Sequence, residues 1–186
     1  MSNWFMPDYI FAKFDDITAD FLRGLGIKAL LIDIDNTLAP YEVAEPDERI
    51  AEWFKMLCEN GISATLVSNN DRERVELFNR SLGLPYYYKS GKPFAKNLKK
   101  AMAAMGSDRT NTAMLGDQLL TDAVAGKHIG LTTFIVPPIR DKSNLFFRSK
   151  RALEVPTIKQ YVKKHGGESD KICDFWLSKR FNEKRG

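Results

Sequence analysis

The feature that most constrains this 186-residue chain is an alternation of short apolar runs with longer amphipathic segments, from about residue 27 to residue 136. The runs 27–34, 62–67, 112–115 and 131–136 are short and flanked by turn residues, as strands are when helices cover both faces of a sheet. A fifth segment, 84–88, reads as an edge strand. Between them, 46–59 places Ile50, Trp53, Phe54 and Leu57 at helical spacing, with Pro46 suited to the first turn. Segment 72–82 presents Val75, Phe78 and Leu82, and segment 94–105 presents Leu98, Ala101, Met102 and Met105. These stripes are read as sheet-covering core rather than cofactor boxes. With right-handed crossovers the alternation predicts an α/β fold: a three-layer, Rossmann-like parallel sheet with helices on both faces, binding ligands beyond the carboxyl ends of its strands.

The length suits one domain over residues 1–186, with its core at about 27–136 and a basic helical extension from about 140 to 186. Hydrophobic residues at 44% and charged residues at 28% favour a compact soluble protein over disorder. Cys58 and Cys173 form no C-x-x-C pair, which argues against a disulfide framework or a zinc site and fits a reducing cytoplasm; both read as small buried hydrophobes. No apolar run approaches the ~20 residues that span a bilayer, and the N-terminus lacks a secretory signal pattern. The net charge of +4 conceals an asymmetry of −3 over residues 1–139 and +7 over 140–186. Such an excess favours an anionic partner, whether lipid headgroups, RNA or a phosphorylated substrate.

Four motifs sit at the predicted strand ends. The first strand closes on Asp33-Ile34-Asp35-Asn36-Thr37. An unpaired carboxylate at the end of a buried strand is costly unless a metal or a cation compensates it, although acids also cap turns. The second ends in Ser68-Asn69-Asn70, a hydroxyl, an amide and backbone N–H groups at a helix start, which suits a phosphate cradle as well as an ordinary cap. Ser90-Gly91-Lys92-Pro93 places a lysine where it can reach a phosphoryl oxygen, with Pro93 fixing the following helix start. The third buried strand runs into Gly116-Asp117-Gln118-Leu119-Leu120-Thr121-Asp122. Asp117 would leave the same sheet edge as Asp33, and oxygen ligands there suit a small hard cation. Asp122, one turn on, could orient Lys92 or a metal-bound water.

The order D-x-D-x-T, Ser-Asn, Lys-Pro and G-D-x-x-x-x-D resembles the four motifs of the haloacid dehalogenase (HAD) superfamily. Gly26-Ile27-Lys28, the Asp-Asn-Thr-Leu and Ser-Asn-Asn wording with Arg74-Val75, Gly91-Lys92-Pro93, Gly-Asp-Gln-Leu-Leu-Thr-Asp and Val136-Pro137-Pro138 look like the YqeG family. Its members are similar to the phosphatidylglycerophosphate phosphatases of mitochondria and plastids. The family pattern Ala-Lys-Pro stands here as Gly-Lys-Pro, which keeps the lysine. The resemblance implies a phosphomonoester hydrolase with Asp33 as nucleophile and Asp35 as acid and base. It implies Mg2+ held by Asp33, the backbone carbonyl at Asp35 and Asp117, phosphate held by Ser68, Asn69 and Lys92, and Thr37 and Asp122 in support. The short segments after the first strand and before Lys92 leave no room for a large cap domain, which favours bulky or interfacial substrates.

At the ends, the aromatic stretch Trp4-Phe5-Met6-Pro7-Asp8-Tyr9-Ile10-Phe11-Ala12-Lys13-Phe14 either docks on lipid or packs against the sheet and the Phe21–Leu25 helix, packing being favoured. The tail cations Arg148, Lys150, Arg151, Lys163 and Lys164 suit anionic headgroups or a solvated helix face equally. His128 and His165 receive no role. Three functions stay open: lipid phosphate hydrolysis by a cytoplasmic protein at the inner face of a membrane, a soluble phosphatase of a sugar phosphate, nucleotide or phosphoprotein, and an RNA- or ribosome-associated binding module. The sequence leaves the oligomeric state open.

Overall fold

A computed structural model describes residues 5–140, 145–166 and 172–173. Six parallel strands form one sheet: β1 (Tyr9–Ile10), β2 (Ala29–Ile32), β3 (Ser63–Val67), β4 (Tyr86–Tyr87), β5 (Thr112–Gly116) and β6 (Thr132–Ile135), in the order β1-β6-β5-β2-β3-β4. The helices are α1 (Ala19–Gly24), α2 (Glu48–Glu59), α3 (Arg72–Asn79), α4 (Lys96–Ala104), α5 (Val124–His128) and α6 (Leu145–His165).

Alternation along the central strands sorts side chains into two layers. Leu30 and Ile32 of β2, Leu66 of β3, and Ala113 and Leu115 of β5 pack with α1, α2 and α3 residues such as Leu22, Ile50, Trp53 and Phe78. Their neighbours Leu31, Val67 and Met114 point the other way, onto Leu98 and Ala101 of α4 and Ala125 of α5. All four residues of β2 are buried, so the continuous apolar run has a direct cause: both faces of this central strand are covered. The expected three-layer parallel architecture is therefore present, and no large cap interrupts residues 33–47 or 80–85.

The helices begin where side chains satisfy their free amides. Asp47 caps α2 by accepting a hydrogen bond from the Ile50 amide at 2.9 Å, and Asp71 caps α3 through the Arg74 amide at 3.0 Å. Pro46 consequently lies before the α2 cap rather than in its first turn. Pro93 likewise belongs to the loop before α4, which starts at Lys96. Cys58 corrects another expectation, being exposed on α2, whereas Cys173 is buried.

The N-terminal aromatics pack on the sheet. Phe134 of β6 lies 5.8 Å, centroid to centroid, from each of Tyr9, Phe11 and Phe21, in edge-to-face arrangements. Tyr9 and Ile10 add a short strand at the β6 edge. Trp4 lies outside the described residues, as do the side chains of Arg148, Lys150 and Arg151. Helix α6 packs rather than floats: Ile158, Tyr161 and Cys173 join Ile10, Leu119, Ala123 and Ile135 in a third apolar cluster. The Tyr161 hydroxyl accepts a hydrogen bond from the Ile10 amide at 3.1 Å, while the α6 residues Lys163 and Lys164 stay exposed.

Truncating Phe134 removes the ring shared by three aromatic neighbours at a fully buried site. Phe134→Ala should lower unfolding stability by about 3–5 kcal/mol, read as a lower denaturant midpoint, with the slope of the transition unchanged.

Candidate active site

The sheet register places the motifs at one edge. Ile32 pairs with both Leu66 and Leu115, so Asp33, Ser68 and Asp117 emerge together just past the carboxyl ends of β2, β3 and β5. The Asp33 amide still donates to the Leu115 carbonyl at 2.9 Å, which holds the first acid to the sheet. Asn36 then takes a positive φ of 64°, a left-handed turn that asparagine tolerates better than most residues, and the chain doubles back so that its amide reaches the Ala39 carbonyl at 2.8 Å.

Lys92 crosses to this edge from the loop before α4. Its Nζ lies 2.6 Å from Asp33 Oδ1 and 2.7 Å from Asp122 Oδ1, with all three side chains almost fully buried. Burial alone would lower the lysine's pKa, but Asp122 and Asp33 together hold it above the ordinary value. For Asp33, burial drives the pKa well above the carboxylate range, Lys92 pulls it back, and the charges of Asp122 and Asp117 push it further up. Thr37 Oγ1 donates to the other Asp33 oxygen at 3.3 Å.

Asp33, Asp117 and Asp122 bring one carboxylate oxygen each to within 4.8 Å of the others. Three hard oxygen donors this close together fit a divalent cation, so the residues present suit a metal of that kind. Asp122 rides on a π-helical turn, Leu119–Ala123, and its Oδ2 accepts the Gln118 amide at 3.1 Å. Gly116 makes that placement possible, because a Cβ there would sit 2.3 Å from Asp122 Cγ. The same π-turn is braced from α6, whose buried Glu154 accepts the Leu119 amide at 2.9 Å.

The remaining residues divide between the hollow and its supports. Asn69 lines the hollow, yet its amide serves the Lys92 loop: Oδ1 accepts the Lys92 amide and the Ser90 hydroxyl, and Nδ2 donates to the Lys92 carbonyl, each at 2.9 Å. Ser68 Oγ accepts the Asn70 amide at 3.0 Å. The Asp35 carboxylate turns from the three-acid cluster to Asn70, which donates at 3.1 Å, and to Arg74, whose Nε donates at 3.2 Å. Arg74 is itself half-buried, with its guanidinium 5.1 Å from the Phe78 ring centroid and 6.0 Å from that of Tyr41. Asn70, Arg74, Tyr41 and Gln118 were not among the predicted site residues. The only signal for Arg74 in the sequence was its place in the family wording. Asp33, Asp35, Ser68, Asn69, Lys92 and Asp122 line one hollow of about 260 Å³ with Tyr41, Asn70, Gln118 and Thr121.

Comparison with known proteins agrees with this geometry. The HAD-hydrolase-like family model matches residues 89–138, which include Lys92, Asp117 and Asp122. The "Probable phosphatase YqeG" of Bacillus subtilis (strain 168) is 34% identical over 154 residues, covering 83% of this chain and 90% of the relative. The pyrophosphatase PpaX of Halalkalibacterium halodurans is 30% identical over 104 residues, covering 51% of this chain and 48% of that protein. The crystal structure of 3-deoxy-D-manno-octulosonate 8-phosphate phosphatase from Yersinia pestis superposes with a TM-score of 0.51 at 16% identity, over 83% of each chain, and supports the fold. The chain belongs to the YqeG family of HAD-like hydrolases and is a phosphatase of the HAD type.

Proposed function

We propose that the chain is a magnesium-dependent phosphomonoester hydrolase acting through an aspartyl phosphate on Asp33, with a membrane lipid phosphate such as phosphatidylglycerophosphate as substrate. The observation that carries this reading is the meeting of three buried carboxylates with one buried ammonium, where Asp33, Asp122 and Lys92 line the hollow and Asp117 lies buried behind it. Asp33 is fixed by the β5 carbonyl and Thr37, so one oxygen is held for attack on phosphorus, with the bond to the leaving alcohol breaking in line. Asp35 lines the same hollow, donates a proton to that alcohol and then takes one from the hydrolytic water, while Arg74 and Asn70 set its orientation. Lys92, Ser68 and the backbone N–H groups after it hold phosphoryl oxygens, and Asn69 holds the loop that delivers Lys92. Asp33, Asp117 and the backbone carbonyl at Asp35 would hold the Mg2+, which supplies charge neutralisation between two anions. Asp122 keeps Lys92 aimed.

The lipid reading is supported by the missing cap and by the resemblance to phosphatidylglycerophosphate phosphatases. Small metabolites profit from a lid that encloses them, whereas a headgroup held at a surface does not need one. No helix among the described residues is long and apolar enough to cross a membrane, so contact with lipid would be peripheral, at the cytoplasmic face.

Phosphate release from phosphatidylglycerophosphate, sugar phosphates, nucleotides and pyrophosphate, measured with Mg2+ and again with chelator, tests this directly. The lipid should be the preferred substrate and chelation should abolish turnover. A faster metal-dependent rate on a small metabolite would transfer the site to a soluble substrate. Asp33→Asn should reduce kcat by at least about a thousandfold with the circular dichroism spectrum unchanged. Gly116→Ala, which drives a methyl group into Asp122 and so displaces Lys92, should cost on the order of 10²-fold in kcat.

A further inference from the structure

Seven large hydrophobic side chains are exposed among the described residues, and five of them follow the carboxyl ends of strands, the edge that carries the site. Tyr41 and Val43 lie in the loop after β2, Tyr88 and Phe94 lie between β4 and α4, and Ile139 follows β6. Phe94 is the most exposed at 76%, two residues beyond the buried Lys92. A rim of this kind around an uncapped hollow needs a partner, and the charge pattern beside it says which.

From residue 77 to residue 107 the sequence contains no aspartate or glutamate but six lysines and arginines. Lys89 and Lys96 flank Phe94 and are exposed, and Lys99 and Lys100 continue on the outward side of α4, away from the buried Leu98 and Ala101. Among the described residues, none of these four lysines has a carboxylate partner of the kind that occupies Lys92 or Lys127. Tyr9 and Phe11 of the N-terminal aromatic stretch are spent on the sheet, where they pack on Phe134. Among the described residues the most exposed aromatic, Phe94, therefore sits in the longest acid-free stretch of the sequence, on the loop that carries Lys92.

We propose that the segment from Tyr88 to Lys100 is an interfacial docking surface for an anionic bilayer, seating Phe94 at the headgroup boundary with Lys89, Lys96, Lys99 and Lys100 against anionic headgroups. Aliphatic rim residues such as Val43 and Ile139 favour an acyl boundary over stacked nucleobases, which makes the bilayer a better fit than RNA. Docking there turns the hollow toward the membrane, so a headgroup phosphate meets Lys92 while its acyl chains stay in the leaflet. The inference rests on the lipid reading of the substrate, but its surface can be tested apart from turnover.

The test is sedimentation of the full chain with vesicles of phosphatidylcholine alone or with about one third phosphatidylglycerol, at low and high salt. Wild type should bind the anionic vesicles and be released by salt. Phe94→Ser combined with Lys96→Glu should weaken partitioning by at least about tenfold. It should leave hydrolysis of the water-soluble p-nitrophenyl phosphate within about twofold of wild type and the circular dichroism spectrum unchanged. Vesicle binding equal to wild type in that variant, no wild-type binding, or tighter wild-type binding to single-stranded RNA than to vesicles would each overturn the proposal. If the variant loses binding but wild type releases no phosphate from phosphatidylglycerophosphate in vesicles or detergent micelles, the docking surface stands and the lipid substrate falls. If wild type hydrolyses that lipid while the variant binds normally, the reverse holds.

Discussion

A lysine ammonium held away from water between two carboxylates is the constraint around which this site is arranged. Lys92 would resist burial on its own, and Asp33 and Asp122 at 2.6 and 2.7 Å reverse that preference. Bringing them together is expensive in geometry: Asp33 comes from the end of β2, Lys92 from a loop 59 residues later, and Asp122 from a π-turn beyond β5. Each is locked by a different device. The sheet amide ladder holds Asp33, three hydrogen bonds with Asn69 hold the Ser90 hydroxyl and the Lys92 backbone, and the absent side chain of Gly116 lets Asp122 close in. Loss of any one would leave a buried charge short of its partner, which is the costly case.

The same arrangement explains why the third acid matters. Lysine alone cannot balance Asp33, Asp117 and Asp122, and burial leaves Asp33 reluctant to ionise. On the proposed reading of Asp33 as the nucleophile, a carboxyl group that resists ionisation is poorly suited to attack until further positive charge arrives. Divalent charge at the oxygen cluster meets that need at the point where an anionic phosphate must also approach. The fold thus keeps the acids close in readiness for a cation, rather than for one another.

Much of this was legible in the sequence because buried parallel strands write themselves as unbroken apolar runs, and chemistry in such sheets sits where the runs stop. The runs ending at Asp33, Ser68 and Asp117 could be read for that reason. What escaped the reading depends on distance in space. Asp35 finds Asn70 and Arg74 across separations of 35 and 39 residues, and Asn69, read from the sequence as a phosphate-binding residue, also clamps the Lys92 loop through contacts 21 to 23 residues away. β1 has only two residues, too few for any periodicity, and its position beside β6 reflects aromatic packing on Phe134. The start of α2 was read two residues early, at Pro46, because Asp47 supplies the cap and the helix begins at Glu48.

The C-terminal quarter shows how a charge total can mislead about where charge acts. Its surplus of seven positive charges suggested a basic helical extension, and α6 also sets Ile158 and Tyr161 into the third core cluster and buries Glu154 against the π-turn that carries Asp122. That helix therefore bears on catalysis through packing, whatever its exposed lysines meet. The acid-free segment 77–107 is invisible in the same bookkeeping, because the first 139 residues sum to −3. Local charge next to an open site is what a surface or substrate encounters, since screening at physiological salt confines such influence to about 8 Å. Lys89 and Lys96 lie three and four residues from Lys92 in sequence, a local feature that a charge total over a whole quarter of the chain does not register.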